Sequence, residues 1–320
     1  MNQSIRVGVV GVGSIGKNHA RICAGIKEIK FAAIYDTNLD LAKSIGRQYR
    51  VPVAGSLDEF ITLVDAATVA APTTTHFEIG RRLLEAGKHV LIEKPITETP
   101  KEAQELERLA RDRSLILQVG HVERFNPVMS ALQERLTKPV FIEVHRLSQY
   151  PNRSIEIGVV LDLMIHDLEI ILHLVRSPVK SIDAVGVPVL SKGEDIANAR
   201  IRFQSGCVAN LTASRISPEK MRKIRVFQEA PPTYLSLDYQ NQAGEVYRLV
   251  NGKISRDKVA IEKDEPLKRE LLSFIECASR GQQPLVSGYQ ATAALELAIQ
   301  ITEMIEADLR ERRGEGEGEK

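Results

Sequence analysis

The apolar run Val7-Gly8-Val9-Val10 leads directly into Gly11-Val12-Gly13-Ser14-Ile15-Gly16, and no other feature limits the fold of this 320-residue chain so tightly. A lone G-x-G-x-x-G is weak, because glycines mark turns everywhere. Here a β-rich run precedes it and a helical pattern follows, the context in which the motif carries meaning. Gly11 then permits a tight turn, Gly13 lets the backbone approach a pyrophosphate, and Gly16 lets helix and strand pack closely. Ser14 and Ile15 stand where the helix opens, and its first N–H groups and positive dipole end point at the phosphates. The next strand, Phe31–Tyr35, ends at Asp36, 20 residues after Gly16. That spacing suits an acid that binds the ribose 2′-hydroxyl. A carboxylate there repels a 2′-phosphate, so NAD is the expected cofactor rather than NADP. The other role open to Asp36 is capping the helix that begins near Asn38.

Up to residue 120 the chain alternates short apolar runs with amphipathic stretches, which predicts repeated βαβ units and a doubly wound parallel sheet. Strands are expected at Ile5–Val10, Phe31–Tyr35, Ala67–Ala71, His89–Ile92 and Leu115–Val119. Beyond residue 120 the pattern changes. A helix is expected over Asn126–Leu136, a strand over Val140–Leu147 and an apolar helix over Ile157–Val175. Short strands then follow without intervening helices, the mark of an open, mostly antiparallel sheet. Two helices, Pro266–Ser279 and Tyr289–Arg310, close the chain. The expected class is α/β, with a Rossmann domain over 1–120, a substrate-binding and oligomerisation domain over 121–312, and a disordered Gly/Glu tail over 313–320.

Composition excludes some functions. Forty-three basic and 42 acidic residues leave a formal charge of +1, a balance that argues against nucleic acid or an anionic membrane as partner. No uncharged stretch is long enough to span a bilayer. The apolar run near the N-terminus is too short and Gly-rich for a secretion signal. Cys23, Cys207 and Cys277 are far apart and form no C-x-x-C. They read as free, mostly buried thiols, and the cytoplasm is the default compartment.

Two places carry candidate chemistry. Glu93-Lys94-Pro95 stands at the carboxyl end of the strand His89–Ile92, the edge where ligands lie in open α/β sheets. A lysine there can hold a substrate oxygen or share its proton; its bland alternative is a surface loop residue. In the apolar helix Asp162, His166, Glu169 and His173 follow one another in steps of four, three and four. One helical stripe therefore gathers them. His166 with Asp162 one turn earlier suits a general base and its orienting acid. A stripe that faces solvent, and a metal held by His166, His173 and an acid, are the competing readings. The metal ranks lower because those histidines are two turns apart, and none is expected.

Together these residues resemble the glucose–fructose oxidoreductase, inositol dehydrogenase and rhizopine-catabolism (Gfo/Idh/MocA) family. The resemblance rests on Gly11, Gly13 and Gly16, on Pro72 through His76, on Glu93-Lys94-Pro95, and on Asp162 with His166. It implies that Pro72, Thr73, His76, Glu93 and Lys94 join the cofactor set, that Lys94, Asp162 and His166 converge beside the nicotinamide, and that an exposed sheet face supports a homodimer or homotetramer. Met164 and Glu169 depart from the residues many members carry. His121-Val122-Glu123-Arg124-Phe125-Asn126-Pro127 and Asp162–Asp167 look most like a branch that contains UDP-N-acetylglucosamine 3-dehydrogenases. That implies a sugar or nucleotide-sugar substrate, the 3-OH of UDP-N-acetylglucosamine first among them, and a partner aminotransferase in lipopolysaccharide biosynthesis. Arg124 and Asn126 are candidate substrate contacts. Arg153, Arg215 and the Lys220–Lys223 cluster are candidates for the diphosphate, although any one of them is an ordinary solvated charge by default. Inositol or a free sugar as substrate, and a non-catalytic NAD-binding sensor, are the alternatives.

Overall fold

The computed structural model describes residues 4–150 and 157–314, which fall into two compact units. Unit one is Met1–Phe125 with Glu265–Thr292, and unit two is Asn126–Asp264 with Ala293–Lys320. This differs from the expected division at residue 120, chiefly because the helix Pro266–Arg280 returns to the first unit. Its Leu271, Phe274, Ile275, Cys277 and Ala278 share a core with Val7, Val9, Ile22, Cys23 and Ile26. Burial of that apolar stripe, not chain order, decides where the helix belongs. Apart from Arg313 and Gly314, the expected tail lies outside the described residues, as does Arg153.

In the first unit five parallel strands stand in the order β2-β1-β3-β4-β5: β1 Arg6–Val10, β2 Lys30–Tyr35, β3 Ala66–Val69, β4 His89–Glu93 and β5 Leu117–Gly120. Helices α1 Gly16–Gly25, α2 Leu39–Tyr49, α3 Leu57–Leu63, α4 His76–Glu85 and α5 Pro100–Asp112 connect them. The strands read as continuous apolar runs because helices cover both faces of a parallel sheet. Helix starts follow local chemistry. Thr99 and Glu102 cap α5 reciprocally, and Pro100 occupies its first turn. Strand order reverses beside β1, so the turns after the five strands gather at one sheet edge. Those turns carry Gly11, Asp36, Pro72, Lys94 and His121.

The second unit begins with α6, Pro127–Gln133. Its sheet has the order β13-β12-β11-β10-β6-β9-β8-β7, with β6 and β9 parallel and the other neighbours antiparallel. The strands are β6 Pro139–Leu147, β7 Val179–Val187, β8 Ile196–Phe203, β9 Val208–Ser214, β10 Met221–Glu229, β11 Pro232–Asp238, β12 Ala243–Val250 and β13 Lys253–Lys258. The expected single helix at Ile157–Val175 is instead a π-helical turn, Val160–Met164, that continues into α7, Ile165–Val175. The helix Pro266–Arg280 is α8, and α9 runs over Gly288–Arg312.

Side chains on β6 alternate strictly: Ile142, Val144 and Arg146 are buried, whereas Phe141, Glu143 and His145 are half-buried on the opposite face. On that opposite face Phe141, Phe227, Tyr234 and Tyr247 form a file across four strands, with ring centroids 5.7, 4.6 and 5.0 Å apart. The guanidinium of Arg256 lies 5.7 Å from the Tyr247 centroid. β13 was not expected, because its residues are polar and exposed. A two-residue turn, Asn251 and Gly252, both with positive φ, folds it onto β12. All three cysteines are free and buried. No helix is long and apolar enough to cross a membrane among the described residues.

Candidate active site

The glycine-rich turn is built as its chemistry requires. Gly11 has φ +79°, and a Cβ there would lie 2.8 Å from the backbone of Ala70 and Ala71. A Cβ on Gly16 would stand 1.8 Å from the Gly11 carbonyl oxygen. A Cβ on Gly13 would meet nothing within 4 Å. Two glycines are thus demanded by the fold, whereas Gly13 borders open space, where a phosphate needs to approach. Ile15, at the N-cap of α1, makes no side-chain capping bond, and Ser14 precedes it in the exposed turn. The donors of the first helical turn suit an anion.

Asp36 ties this turn to the second strand. Its Oδ2 accepts from the Val12 N–H at 2.7 Å and its Oδ1 from the Asn38 N–H at 2.8 Å. The cap of α2 is Asn38, whose Oδ1 accepts from Leu41 N–H at 3.1 Å. Helix capping therefore does not explain Asp36. Each carboxylate oxygen keeps acceptor capacity beyond its one backbone bond, as a ribose hydroxyl requires. Taken together, the turn, the uncapped helix start and Asp36 fit NAD, which when bound supplies a carbon that accepts or returns hydride.

The remaining turns of this edge carry accessible residues and buried ones. Pro72, exposed, precedes a short 3-10 turn, Thr73–Thr75, and Thr73 is half-buried. His76 is buried, with Nδ1 2.8 Å from the Pro95 carbonyl and Nε2 2.8 Å from the Ala71 carbonyl. It joins the turn after β3 to the turn that carries Lys94, a structural task that leaves no ring nitrogen for a cofactor. Burial pushes its imidazole below the ordinary value, against the pull of both carbonyls and Glu93. Lys94 is half-buried, and the peptide bond to Pro95 is cis. His121, directly after β5, is fully buried; burial first, then the charges of Lys94 and Arg124, push it down to about 3. It is a neutral imidazole at physiological pH, in the electrostatic reach of Lys94. In the sequence His121 figures only as the first residue of the His121–Pro127 motif, although a histidine at a strand's carboxyl end is itself a usable signal.

In the second unit Asp162 lies in the π turn and His166 in the first turn of α7, both half-buried. Single π turns recur at functional sites. The rest of the stripe is structural. Glu169 is buried, and His173 bonds the Gln133 side chain. Asp167, alongside, takes two bonds from Arg146 at 2.7 and 2.8 Å inside the core. Gly158 lies against Glu194, whose carboxylate accepts from the Val160 N–H at 3.1 Å and so holds the start of the π turn. Among the described residues no group of three or more His, Cys, Asp or Glu is arranged to hold a metal ion.

Two of the substrate candidates carry structural tasks, and a third is buried. Arg215 is fully buried and donates to Asp195 Oδ1 at 2.8 Å, the Ile157 carbonyl at 2.6 Å and Ser191 Oγ at 2.7 Å. It braces the segment before the π turn and has no face left for a diphosphate. Asn126 is buried as the N-cap of α6: its Oδ1 accepts from Val128 N–H at 3.2 Å, and its Nδ2 donates to the Tyr239 carbonyl at 3.1 Å. That task accounts for it without a substrate. Arg124 is likewise buried, in the 3-10 turn Val122–Phe125 of the first unit.

Comparisons with known proteins identify the family. A family described as "Oxidoreductase family, NAD-binding Rossmann fold" matches residues 5–121, and the "GFO/IDH/MocA C-terminal domain" matches residues 133–230. The chain belongs to the Gfo/Idh/MocA family. Like other members it is an NAD-binding oxidoreductase. The chain is 33% identical to the UDP-N-acetylglucosamine 3-dehydrogenase of Acidithiobacillus ferrooxidans, over 95% of this chain and 98% of that one. A solved structure of that relative superposes with a TM-score of 0.90 at the same identity and coverage. The scyllo-inositol 2-dehydrogenase (NAD(+)) of Bacillus subtilis is 26% identical, over 94% of each chain. A putative myo-inositol dehydrogenase from Sinorhizobium meliloti shares the fold with a TM-score of 0.79 at 21% identity, over 95% of this chain and 98% of its own.

Proposed function

We propose that this Gfo/Idh/MocA member oxidises a ring hydroxyl of a nucleotide sugar, the 3-OH of UDP-N-acetylglucosamine, to a ketone with NAD as hydride acceptor. The observation that carries this reading is the match to a UDP-N-acetylglucosamine 3-dehydrogenase along nearly the full length of both chains. NAD, which the Gly11–Gly16 turn and Asp36 would hold, would supply the hydride acceptor, and the hydroxyl gives up its proton to this chain's own residues. His166 takes that proton, with Asp162 as its orienting acid, while Lys94 donates to the same oxygen and stabilises its developing negative charge. Exchange of the two roles, with Lys94 as base, satisfies the same chemistry. The 3-keto sugar released is a substrate for an aminotransferase of lipopolysaccharide biosynthesis, in the cytoplasm. The aromatic face of the large sheet would join copies of the chain into a dimer or tetramer.

Lys94→Ala and His166→Ala each test the assignment. Both variants should leave NAD binding largely intact, with turnover at least about a hundredfold lower. Full turnover in either variant removes that residue from the mechanism. The 26% match to an inositol dehydrogenase supports a second substrate class, polyols. NAD reduction measured side by side with UDP-N-acetylglucosamine and with myo- and scyllo-inositol decides between them. A protein that binds NAD but reduces it with none of these substrates would be a sensor.

A further inference from the structure

Behind Lys94, inside the first unit, lies a group of ionisable side chains that the proposed reaction does not use. His19 on α1 is fully buried, and its Nε2 stands 3.0 Å from Glu93 Oε1. The Glu93 carboxylate packs over Gly120, where a Cβ would come within 2.8 to 2.9 Å of it. Gln118, two residues earlier on the same face of β5, donates from Nε2 to the Glu270 carbonyl at 3.1 Å. Glu270 on α8 is itself fully buried, and neither of its carboxylate oxygens has a hydrogen-bond partner among the described residues. The Gln118 Oε1 and the His19 Nδ1 are in the same condition. α8 packs on α1 and on the turn Val122–Phe125, so it closes the cluster from outside the sheet.

We propose that Glu270 is a neutral carboxylic acid at physiological pH, and that with His19 and Glu93 it forms a buried positioning cluster for Lys94. An ionised carboxylate with no donor, sealed in an apolar core, is the costliest arrangement open to Glu270. A protonated one costs much less and gains an O–H that can donate to a neighbouring acceptor. Burial, and after it the charge of Glu93, both push the Glu270 carboxyl well above its ordinary value. The His19 imidazole stands against the Glu93 carboxylate. Being bonded to Lys94, Glu93 then holds the lysine's backbone at the sheet edge, and its charge favours the ammonium form. The charged and titratable groups around this site are His19 from α1, Glu93 and Lys94 from β4 and its turn, His121 and Arg124 after β5, and Glu270 from α8.

The role assigned to Lys94 rests on the proposed function, so the first test is independent of substrate. Infrared difference spectra of the NAD-free protein at pH 7 should show a protonated-carboxyl band that Glu270→Gln removes. Identical spectra for the two proteins overturn the neutral acid. Kinetics test the positioning. Glu270→Gln, an uncharged mimic, should keep turnover within about twofold and leave the pH profile in place. Glu270→Leu should lower kcat at least tenfold with the KM for NAD within twofold. Glu93→Gln, which folds without the buried charge, should move the Lys94 limb of the pH profile downward by about half a unit, because loss of a nearby negative charge lowers an amine's proton affinity. Unchanged kcat in Glu270→Leu, or, where that variant does not fold, an unmoved limb in Glu93→Gln, overturns the positioning role. Loss of activity in Glu270→Gln equal to that in Glu270→Leu overturns it as well. A wild type inactive on every sugar tested, with the infrared band present, refutes the proposed function and leaves the neutral acid standing.

Discussion

Gly13→Ala and Gly16→Ala should have opposite effects, although the two residues belong to one motif. The methyl carbon of Gly16→Ala would stand 1.8 Å from the Gly11 carbonyl oxygen, a clash of backbone that no side-chain rotation relieves. Overpacking against rigid atoms costs about 3 kcal/mol or more. In a unit of this size that lowers the melting temperature by roughly 6–12 °C. The methyl of Gly13→Ala meets nothing within 4 Å. Loss of glycine's freedom in the unfolded chain should instead stabilise the variant by about 0.4–1 kcal/mol. NAD reverses the order of Gly13→Ala and the wild type. At a concentration a hundred times its Kd, NAD stabilises the wild type by about 2.7 kcal/mol. A methyl in the path of the pyrophosphate that weakens binding a hundredfold leaves about 0.4 kcal/mol at the same concentration. Thermal unfolding of both variants, with and without NAD, reads all four quantities. The reasoning fails if Gly13→Ala melts as low as Gly16→Ala without NAD, or if it keeps the full NAD-induced rise.

Other perturbations separate structural residues from those of the site. Asp36→Ala removes the acceptor of the Val12 and Asn38 amides; the KM for NAD should rise about tenfold or more, and the preference over NADP should narrow, measured as a ratio of kcat/KM values. Arg215→Ala strands the buried Asp195 carboxylate and should cost about 3–5 kcal/mol in denaturant unfolding, with the KM for substrate unchanged in protein that remains folded. Burial pulls Asp195 up, but the Ser191 hydroxyl, the loop amides and Arg215 together hold it well below the carboxylate range. Its contribution is therefore complete above the unfolded value of about 4 and disappears as pH falls further, so Asp195→Asn should flatten the acid limb of a stability curve. Phe227→Lys combined with Tyr234→Lys breaks the stacked pair at 4.6 Å on the exposed sheet face; light scattering should find monomers, and an unchanged mass would assign the interface elsewhere.

The cofactor end of the molecule was legible because backbone geometry there demands particular residue types. Glycine is required at 11 and 16, and Asp36 follows at the distance of one βα unit. The helix start at Asn126 was legible too: asparagine before Pro127, ahead of an apolar helix, is a helix-start signature, and the structure uses both residues in that way. Other features leave little trace. A π turn changes hydrogen-bond partners without changing composition, so Val160–Met164 reads as ordinary helix. β13 exists through its turn and its pairing with β12 rather than through apolar alternation. Arg215 looks like any surface arginine until Asp195, 20 residues earlier, is placed beside it by the strands between them.

Glu270 shows where a pattern can point to chemistry as well as to packing. Along α8 the buried positions are Glu270, Leu271, Phe274, Ile275, Cys277 and Ala278, so a carboxylate occupies a site that helical periodicity assigns to the core. An acid on an apolar stripe must either be paired with a cation or give up its charge. Among the described residues no arginine or lysine pairs with the Glu270 carboxylate; the groups brought to this residue are Gln118, whose side-chain amide donates to the Glu270 carbonyl, and Glu93, through its charge. That leaves protonation as the state that burial permits. The same logic explains why α8 leaves its neighbours in sequence to complete the first unit. Its Leu271, Phe274 and Ile275 supply apolar surface to that core, and the same buried face carries Glu270 into the electrostatic reach of Glu93, one residue before Lys94.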